Sequence, residues 1–330
     1  MYEPNCPSDS EEIEIEEIEI VDSNYELMSN KDVKITIGQW VFECHSRFLS
    51  TFCELFKDSI RRGITVFNLP KESISADVFD VAYTWMSSNV CYCPRSKFLD
   101  LFLAAQYLQA PQLRFNVLAA LGEERYFSHL GALSCYAEAT KRNINDVANQ
   151  MLINVGKYFL SLVGTEEYLD LGLEELCNLL KCDFLAVHSE VEVFYAAILW
   201  ILWNYEQRKI HMRRVLKSLR LEQMPPLVLL NFGERLHEMM PETSDLMFYL
   251  LHLAVVIGQK RSNNSPMSQD PLSSRAYIRD PECPYLHLLD ERVTEISVEM
   301  FTDYINTLPS IFEQFLMRLT FLADMNVAEE

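Results

Sequence analysis

The chain has 330 residues, of which 49% are hydrophobic, so it can bury a sizeable core and cannot be disordered throughout. Its net charge is −20, and residues 1–30 hold ten acids and no Lys or Arg. The other 300 residues hold 38 acids against 28 bases, which is unfavourable for binding a phosphate backbone, so we expect no nucleic-acid partner.

The nine cysteines form no CxxC pair, which argues against a zinc ribbon or a thioredoxin-type site. The N-terminus lacks the basic and apolar regions of a signal peptide, and scattered thiols are typical of reduced, intracellular proteins. The longest apolar run, Leu246–Gly258, has thirteen residues and falls short of the ~20 that a bilayer requires. We therefore expect a cytoplasmic or nuclear protein, or one found in both places, without a membrane partner.

Residues 1–30 are predicted to be an acidic, disordered leader. Within it, Glu11–Ile20 (EEIEIEEIEI) alternates acids with isoleucines and then slips phase at Glu16 and Glu17. The alternative is a short strand that pairs with the sheet edge of a partner, because alternating isoleucines suit such pairing.

From Asp32 to about Gly122 the pattern is mixed. VKITIG alternates as a strand, Gly38 and Gln39 form a tight turn, and WVFEC returns as a second strand. A helical pair follows over about Ser46–Ser59, and GITVFNLP is a strand stopped by Pro70. Three helices complete the region: one after a candidate N-cap at Ser75, one over Ser96–Gln109, and one that starts at Pro111.

From Tyr126 to about Glu238 the apolar spacing predicts only helices joined by short loops. One segment, Tyr195–Trp203, is apolar nearly all round, so we expect that helix to be central and buried. Residues 239–330 are predicted to be mostly helical, with a flexible linker at about 260–284 that is rich in Ser, Asn and Pro. Two last helices are predicted at Val298–Thr307 and Ser310–Ala323.

The first of these regions resembles a BTB (POZ) domain. Its hairpin, the small residue and histidine behind it, and the following helices match at Asp32-Val33, the Gly38 turn, Phe42, Cys44, His45, Leu49 and Phe52–Phe56, with Phe79 further on. A second match is the run Ala105, Tyr107, Leu108, Gln109 and Leu113. The sequence departs from the family at Ser87-Ser88-Asn89 and at Val117.

The helical region is similar to a BACK domain. The similarity is strongest along residues 166–201 and includes the apolar positions and the Ser-Glu helix start: Leu169, Leu171, Leu176, Leu180, Asp183, Leu185, Val187, Ser189-Glu190, Val193, Phe194 and Trp200. The resemblance implies a BTB–BACK protein of the Kelch-like type. Its fold would be an α+β BTB domain at 31–122, an all-α BACK domain at 123–238 and a helical C-terminal region at 239–330.

A Kelch propeller does not fit in the residues beyond the BACK-like region. Each blade needs about 50 residues, and residues 239–330 contain a single glycine, Gly258.

The resemblance also implies partners. BTB domains commonly form homodimers, or heterodimers with other BTB proteins, and the expected dimerisation residues are Phe48, Leu49 and Phe52. Many BTB–BACK proteins hold cullin-3, a RING ubiquitin ligase scaffold, and recruit a protein substrate to it. The candidate cullin-binding residues are Leu55, Phe56, Asp58, Ile60 and Tyr107. Family adaptors often carry Glu where this chain has Arg62, which leaves open an alternative: a non-ligase scaffold, or a dimerisation protein associated with transcription or the cytoskeleton.

The adjacent pair Cys44-His45 invites a catalytic interpretation, but the BTB resemblance makes it structural. His45 is expected to be buried and bonded, with Asp32 as its partner. Metal sites at His129, Cys135 or Cys91 with Cys93 are disfavoured, because no ligand pair has zinc spacing. The chain has no GxGxxG, GxxxxGK[ST], GxSxG or HExxH motif. We therefore expect a non-catalytic protein without a cofactor or metal.

Overall fold

The computed structural model describes residues 17–21, 31–88, 90–123, 126–262, 275, 277–290 and 296–321. These residues form two compact units. The N-terminal unit contains residues 17–131 and 143–151, and the helical unit contains residues 132–142 and 152–321. In the parts of the chain that the structure describes, no helix has the length and apolarity needed to cross a bilayer.

The N-terminal unit alternates strands with helices. Its elements are β1 (Glu17–Val21), β2 (Val33–Ile37), β3 (Trp40–Cys44), α1 (Ser46–Phe52), α2 (Glu54–Arg61), β4 (Val66–Leu69), α3 (Ala76–Ser87), β5 (Val90–Pro94), α4 (Phe98–Tyr107) and α5 (Pro111–Leu121). Two helices, α6 (His129–Lys141) and α7 (Asn145–Lys157), each contribute residues to both units.

The predicted hairpin is confirmed, and β2 is the middle strand of a three-stranded sheet. It pairs antiparallel with β3 and parallel with β4. Its Val33, Ile35 and Ile37 are buried while Lys34 is exposed, as period-two alternation requires. Gly38 takes a φ of +58° at the turn, a left-handed conformation that glycine adopts without steric cost.

The prediction of a disordered leader is wrong for Glu17–Val21, which form strand β1. This strand pairs antiparallel with β5, with Ile18 opposite Cys93 and Ile20 opposite Cys91. An alternating segment in reach of a free strand edge gains backbone hydrogen bonds by pairing with it, here an edge of its own chain. The rest of the leader, including Ile13 and Ile15, lies outside the described residues.

The helical unit is built from short helices. They are α8 (Phe159–Val163), α9 (Glu166–Leu169), α10 (Leu173–Lys181), α11 (Glu190–Trp203), α12 (Tyr205–Arg208), α13 (Met212–Leu216), α14 (Pro226–Met239), α15 (Ser244–Ser262), α16 (Leu286–Asp290), α17 (Val298–Thr307) and α18 (Phe312–Arg318), with two short strands, β6 (Ile278–Arg279) and β7 (Thr320–Phe321). Helix α11 is central, as predicted, since residues 190–198 are all buried.

Two predictions about the C-terminal region need correction. The flexible linker at 260–284 does not extend through its last residues, because Arg275, Ile278, Asp280 and Cys283 are all buried. Helix α17 has the predicted bounds, but the last helix stops at Arg318 rather than Ala323. The chain then turns into β7, which pairs antiparallel with β6 and so satisfies the backbone of both short strands.

Candidate interaction surfaces

His45 is buried as predicted, but its partner is Tyr83 on α3. The Tyr83 hydroxyl lies 2.6 Å from Nδ1 of His45 and accepts the His45 backbone N–H at 2.9 Å. The prediction of Asp32 as partner is wrong. The Asp32 carboxylate instead accepts the Ser46 backbone N–H at 2.7 Å, because the first N–H groups of α1 have no partner inside the helix.

The neighbouring thiol is chemically inert. Cys44 is fully buried, and burial raises its pKa to about 12, so it stays protonated at neutral pH. The thiol of Cys53 is raised to a pKa of about 12 for the same reason. The Cys44-His45 pair therefore belongs to the interior of the N-terminal unit.

The three predicted dimerisation residues differ in how far they are buried. Leu49 is fully buried and Phe48 is 7% exposed, so both belong to the core of the single chain. Phe52 is half-buried, and its ring packs edge-on against Trp85 at 5.2 Å. The expectation that Leu49 contacts a second copy does not fit its burial, since α1 turns its apolar side inward. Arg47 and Thr51 are the exposed residues of α1.

The five candidate cullin-binding residues also differ in how far they are buried. Phe56 is 1% exposed and packs on Phe67 with ring centroids 5.0 Å apart, which makes it a core residue and corrects its assignment to a surface. Asp58 is exposed, and Leu55, Ile60 and Tyr107 are half-buried. These last four are available to a partner.

Backbone bonds bring α2 and the end of α4 together. The N–H groups of Glu54 and Leu55 donate to the carbonyls of Gln109 and Leu108 at 3.2 and 3.4 Å. Tyr107 therefore lies close to the start of α2. We call Leu55, Asp58, Ile60 and Tyr107 the α2 surface. Arg62, which directly follows α2, is exposed, and Arg61 lies 3.5 Å from Asp58.

A second cluster was missed by sequence reasoning. We call it the C-terminal clamp: Arg275, Asp280, Tyr285, Tyr304 and Arg318. Arg275 and Tyr285 bond to carboxylates at the start of α11, and Asp280 bonds to His188 just before that helix. Tyr304 and Arg318 bond to Asp280. Arg275 is buried and pairs with the buried carboxylate of Glu190. Its two terminal nitrogens donate to the carbonyls of Cys182 and Leu180 at 2.5 and 2.7 Å, and so satisfy the C-terminal end of α10.

Glu192 is the second anchor point of the clamp. Its carboxylate is fully buried and accepts the His188 backbone N–H and the Tyr285 hydroxyl, both at 2.6 Å. The ring of His188 places Nδ1 2.8 Å from Glu192 and accepts the Asp280 backbone N–H at Nε2. A buried carboxylate is stable only with such a set of donors.

Asp280 closes the clamp. Its Oδ2 accepts the Tyr304 hydroxyl at 2.5 Å and the Arg318 guanidinium at 2.8 Å. Burial raises the pKa of Asp280, but the hydrogen bonds from Arg318 and Tyr304 lower it by more, so the net pKa is below the ordinary value of 3.8. The carboxylate is therefore ionised at neutral pH.

His188, Glu192 and Cys283 place possible metal-ligand atoms within 4.8 Å of one another. Both ring nitrogens of His188 already have protein partners. Burial and the Glu192 charge raise the pKa of the Cys283 thiol to about 12, so it stays protonated and is a poor ligand. This cluster is a hydrogen-bonded support for the fold.

One family model matches the helical part of the chain. The family described as "BTB And C-terminal Kelch" (BACK) matches residues 132–234. This chain contains a BACK domain. The match lies inside the predicted range of 123–238 and includes the central helix α11. The C-terminal clamp ties residues 275–318, which lie beyond the match, to this BACK domain.

The similar proteins are of the Kelch-like kind. Human "Kelch repeat and BTB domain-containing protein 12" is 24% identical over 207 residues, which are 61% of this chain and 32% of that protein. Mouse "Kelch-like protein 3" is 30% identical over 125 residues, 38% of this chain and 21% of that protein. Human "Kelch-like protein 2" is 31% identical over 96 residues, 29% of this chain and 16% of that protein.

The chain therefore spans about a third or less of the length of these curated relatives. The resemblance to BTB–BACK proteins of the Kelch-like type is confirmed as homology over these matched segments. The residues that the structure describes contain no β-propeller. The comparisons indicate no catalytic family.

Proposed function

We propose that this protein is a non-catalytic adaptor, that residues 31–122 form a BTB domain that dimerises, and that the pair recruits a protein target to a cullin-3 RING ubiquitin ligase. The observation that carries the proposal is a BACK domain that directly follows an α/β unit with the hairpin-and-helix order of a BTB domain. The printed name of one relative includes a BTB domain and Kelch repeats. As an intracellular adaptor it would work in the cytoplasm, the nucleus or both.

The mechanism is proximity. An adaptor supplies no reacting group; it raises the concentration of a target beside the ligase, and the gain depends on holding both at once. The inert Cys44 thiol, the buried His45 bonded to Tyr83, and His188 with partners at both ring nitrogens support such a role, since none of them is arranged for chemistry. The proposed function includes no cofactor.

The α2 surface is the proposed contact with cullin-3. Replacing Ile60 by Glu puts a charge where an apolar contact is expected, and should weaken cullin-3 binding at least ~10-fold, the effect of losing a central interface residue. Ile210→Glu is the matched control, because Ile210 is 76% exposed on another unit and suffers the same chemical change. Binding of full-length variants to purified cullin-3 by calorimetry measures the difference.

Asp58→Lys is a second variant for this surface, since an exposed residue can be changed without disturbing the core. Phe56 is unsuitable for the test because its replacement would unpack the N-terminal unit. If the wild-type chain and cullin-3 form no complex at micromolar concentrations, the adaptor proposal fails.

Arg62 gives the sharpest test, because cullin-binding relatives often have Glu at the corresponding position. Arg62→Glu should strengthen cullin-3 binding, while Lys71→Glu makes the same charge reversal at an exposed residue outside α2 and should not. Both residues are exposed, so both variants should fold. Equal effects of the two variants would mean that only overall charge matters and would remove the basis for assigning a role to Arg62.

The same residue favours the second candidate function, a non-ligase BTB–BACK scaffold. A charge of the wrong sign at an interface suppresses binding and can cost several kcal/mol when it becomes buried. A chain that dimerises but binds cullin-3 only after Arg62→Glu would be this scaffold. Wild-type binding at micromolar concentrations would favour the ligase adaptor.

Dimerisation is proposed to use the exposed side of α1 together with Phe52. Arg47→Glu combined with Thr51→Glu should convert a two-chain mass to a one-chain mass in light scattering, because like charges would face each other across a two-fold axis. Glu72→Lys, at an exposed position outside α1, is the control. A wild-type chain that is monomeric at tens of micromolar contradicts this part of the proposal.

The target remains to be found, and the region beyond the BACK domain is the proposed receptor for it. Arg275 and Tyr285 are bonded to buried carboxylates of α11, so a target search should use the full chain. Capture by the wild type that is lost on Met317→Glu, at a position 84% exposed on α18, would support a receptor surface there.

A further inference from the structure

The helical unit contains a cavity of about 560 Å³ that no part of the proposed function uses. Its walls come from α8, α9, α11, α14 and α17. The deep residues are apolar and buried: Val163, Leu169, Ile198, Val228, Phe232, Leu236 and Ile296. Binding sites for small molecules usually have ~300–1,000 Å³ and mostly apolar walls, so this cavity has the size and lining of such a site.

The polar atoms that line the deep part already have partners. The Tyr195 hydroxyl donates to the Ile296 carbonyl at 2.5 Å. Nearer the surface, the indole N–H of the exposed Trp203 donates to the Asp170 carboxylate at 3.3 Å. A molecule in the deep part would therefore meet apolar surface, and a nucleotide or other polar metabolite would lose hydrogen bonds on entering.

The mouth of the cavity is lined by polar and charged residues, unlike its apolar deep part. Arg235 and Glu299, both exposed, line it together with half-buried Asn231 and Thr302. One cation and one anion leave the mouth with no net charge, while the amide and hydroxyl both donate and accept hydrogen bonds. A head group that is neutral and does both, such as a hydroxyl or a primary amide, complements this mouth better than a carboxylate, whose attraction to Arg235 is offset by repulsion from Glu299 while its hydration is lost.

The shape argues against a docked helix. Five helices line the cavity, which is partly open to solvent, whereas a docked helix needs a groove that is open along its whole length. An empty apolar cavity of ~150 Å³ already holds a benzene-sized molecule, so this larger space suits a long acyl chain or a fused-ring body. We propose that the cavity between α11, α14 and α17 binds one small neutral amphiphile, with its apolar body inside and its hydroxyl or amide head between Arg235 and Glu299.

This inference does not depend on the adaptor proposal. It does have a structural consequence, because α17 belongs to the C-terminal segment while α11 and α14 are in or next to the BACK match. A molecule in the cavity would contact both and should raise the melting temperature of the helical unit, as any ligand of the folded state does.

The test uses the full chain and Nile red, a neutral dye that fluoresces in apolar surroundings. Wild-type protein should bind it saturably, with about one site per chain. Leu202→Trp narrows the cavity from α11, and Thr302→Trp blocks the mouth from α17; both residues are half-buried, so the fold should tolerate the change. Each should weaken binding at least ~10-fold, the loss of about 1.4 kcal/mol.

Val255→Trp is the control, because Val255 is 55% exposed on α15 and does not line the cavity. It should leave binding within twofold of wild type. Non-saturable binding, or equal effects of Val255→Trp and Leu202→Trp, would show that the dye adheres to exposed apolar surface and would overturn the proposal. Melting curves of each variant confirm that folding is retained.

Displacement of the bound dye by lipids with different head groups tests which head group the mouth prefers. Oleamide should displace the dye ~10-fold more strongly than oleate, since only oleate brings a second negative charge to Glu299. Glu299→Gln should remove most of that preference, and Arg235→Gln should increase it. Equal or stronger displacement by oleate from the wild type would overturn the assignment to neutral amphiphiles.

Discussion

The two units of this chain handle buried polar groups in different ways. In the N-terminal unit, the buried His45 ring is paired with a neutral hydroxyl, Tyr83, 38 positions away. The helical unit instead buries the Arg275–Glu190 ion pair and the carboxylates of Glu192 and Asp280. Arg275 lies 85 positions from Glu190, Tyr285 lies 93 from Glu192 and Tyr304 lies 24 from Asp280, while His188 is only 4 positions from Glu192. The local sequence pattern does not reveal most of this difference. The difference predicts that single substitutions lower the stability of the two units by different amounts.

The largest effect is expected at Arg275. Arg275→Met leaves the Glu190 carboxylate buried without its cation, and the α10 carbonyls lose two donors. Breaking one side of a buried ion pair typically costs about 3–5 kcal/mol. Urea unfolding followed by circular dichroism should show a loss of this size.

The double variant Arg275→Met with Glu190→Met is the internal control. Removing both charges eliminates the uncompensated carboxylate, so most of the loss should be recovered. Arg214→Ala breaks a solvent-exposed pair with Glu174 and should change little. A double variant as unstable as the single one would mean that the helix-capping bonds of Arg275, rather than the charge pair, stabilise the unit.

The next largest effect is expected at Asp280, with a dependence on pH. Asp280→Asn weakens bonds to Tyr304 and Arg318, and hydrogen bonds to charged groups contribute about 1.5–3 kcal/mol. Since the folded-state pKa of Asp280 is lowered, its stabilisation is fully present above the unfolded pKa of 3.8 and is lost as the pH falls through the folded value.

Unfolding of the wild type and of Asp280→Asn should therefore differ at pH 7 and converge as the pH falls below about 4, the ordinary carboxyl range. Melting temperatures from pH 7 to pH 3 measure this. A gap between the two proteins that stays constant over the whole range would contradict the assigned ionisation.

A smaller effect is expected in the N-terminal unit. Tyr83→Phe removes the hydroxyl that serves both the His45 backbone N–H and Nδ1, and leaves them buried without a partner. The expected loss is about 1–2 kcal/mol, because no formal charge is uncovered. A loss as large as that of Arg275→Met would remove the contrast between the units. Thr84→Ala, at the exposed neighbouring position, is the control.

The smallest effect is expected at Asp32. Asp32→Ala removes the carboxylate that accepts the Ser46 N–H at the start of α1, and such capping bonds contribute about 0.5–1 kcal/mol. Asp32→Asn keeps an acceptor and should recover most of the loss. If His45 depended on Asp32, as the sequence predicted, Asp32→Ala would instead cost as much as Tyr83→Phe.

Much of the fold was predictable because its signals are local. The β2–β3 hairpin follows from the alternation of β2 and the Gly38 turn that comes directly after it, and α17 follows from apolar spacing behind a serine cap. Ser297 accepts the Met300 N–H, which explains why that helix begins where the pattern starts. Burial of α11 follows from an apolar run that has no polar face.

The missed features depend on partners far along the chain. Tyr83 is one of several aromatic residues on α3, and nothing near it identifies His45 as its partner. Arg275 ends a stretch of Ser, Asn and Pro that is typical of a linker, although it forms an ion pair whose two side chains are almost completely buried. One signal was available: Glu192 stands between Val191 and Val193 in a helix that is otherwise apolar, and a carboxylate there must have a partner inside the protein.

The clamp also has a consequence for inheritance. A premature stop codon anywhere between the end of the BACK match and Arg275 would leave every matched residue in place, yet Glu190 and Glu192 would lose their covering side chains. Such a shortened product would be a substrate for cellular quality control rather than a working half-protein. Nonsense alleles that stop translation between residue 235 and Arg275 should therefore behave as complete losses.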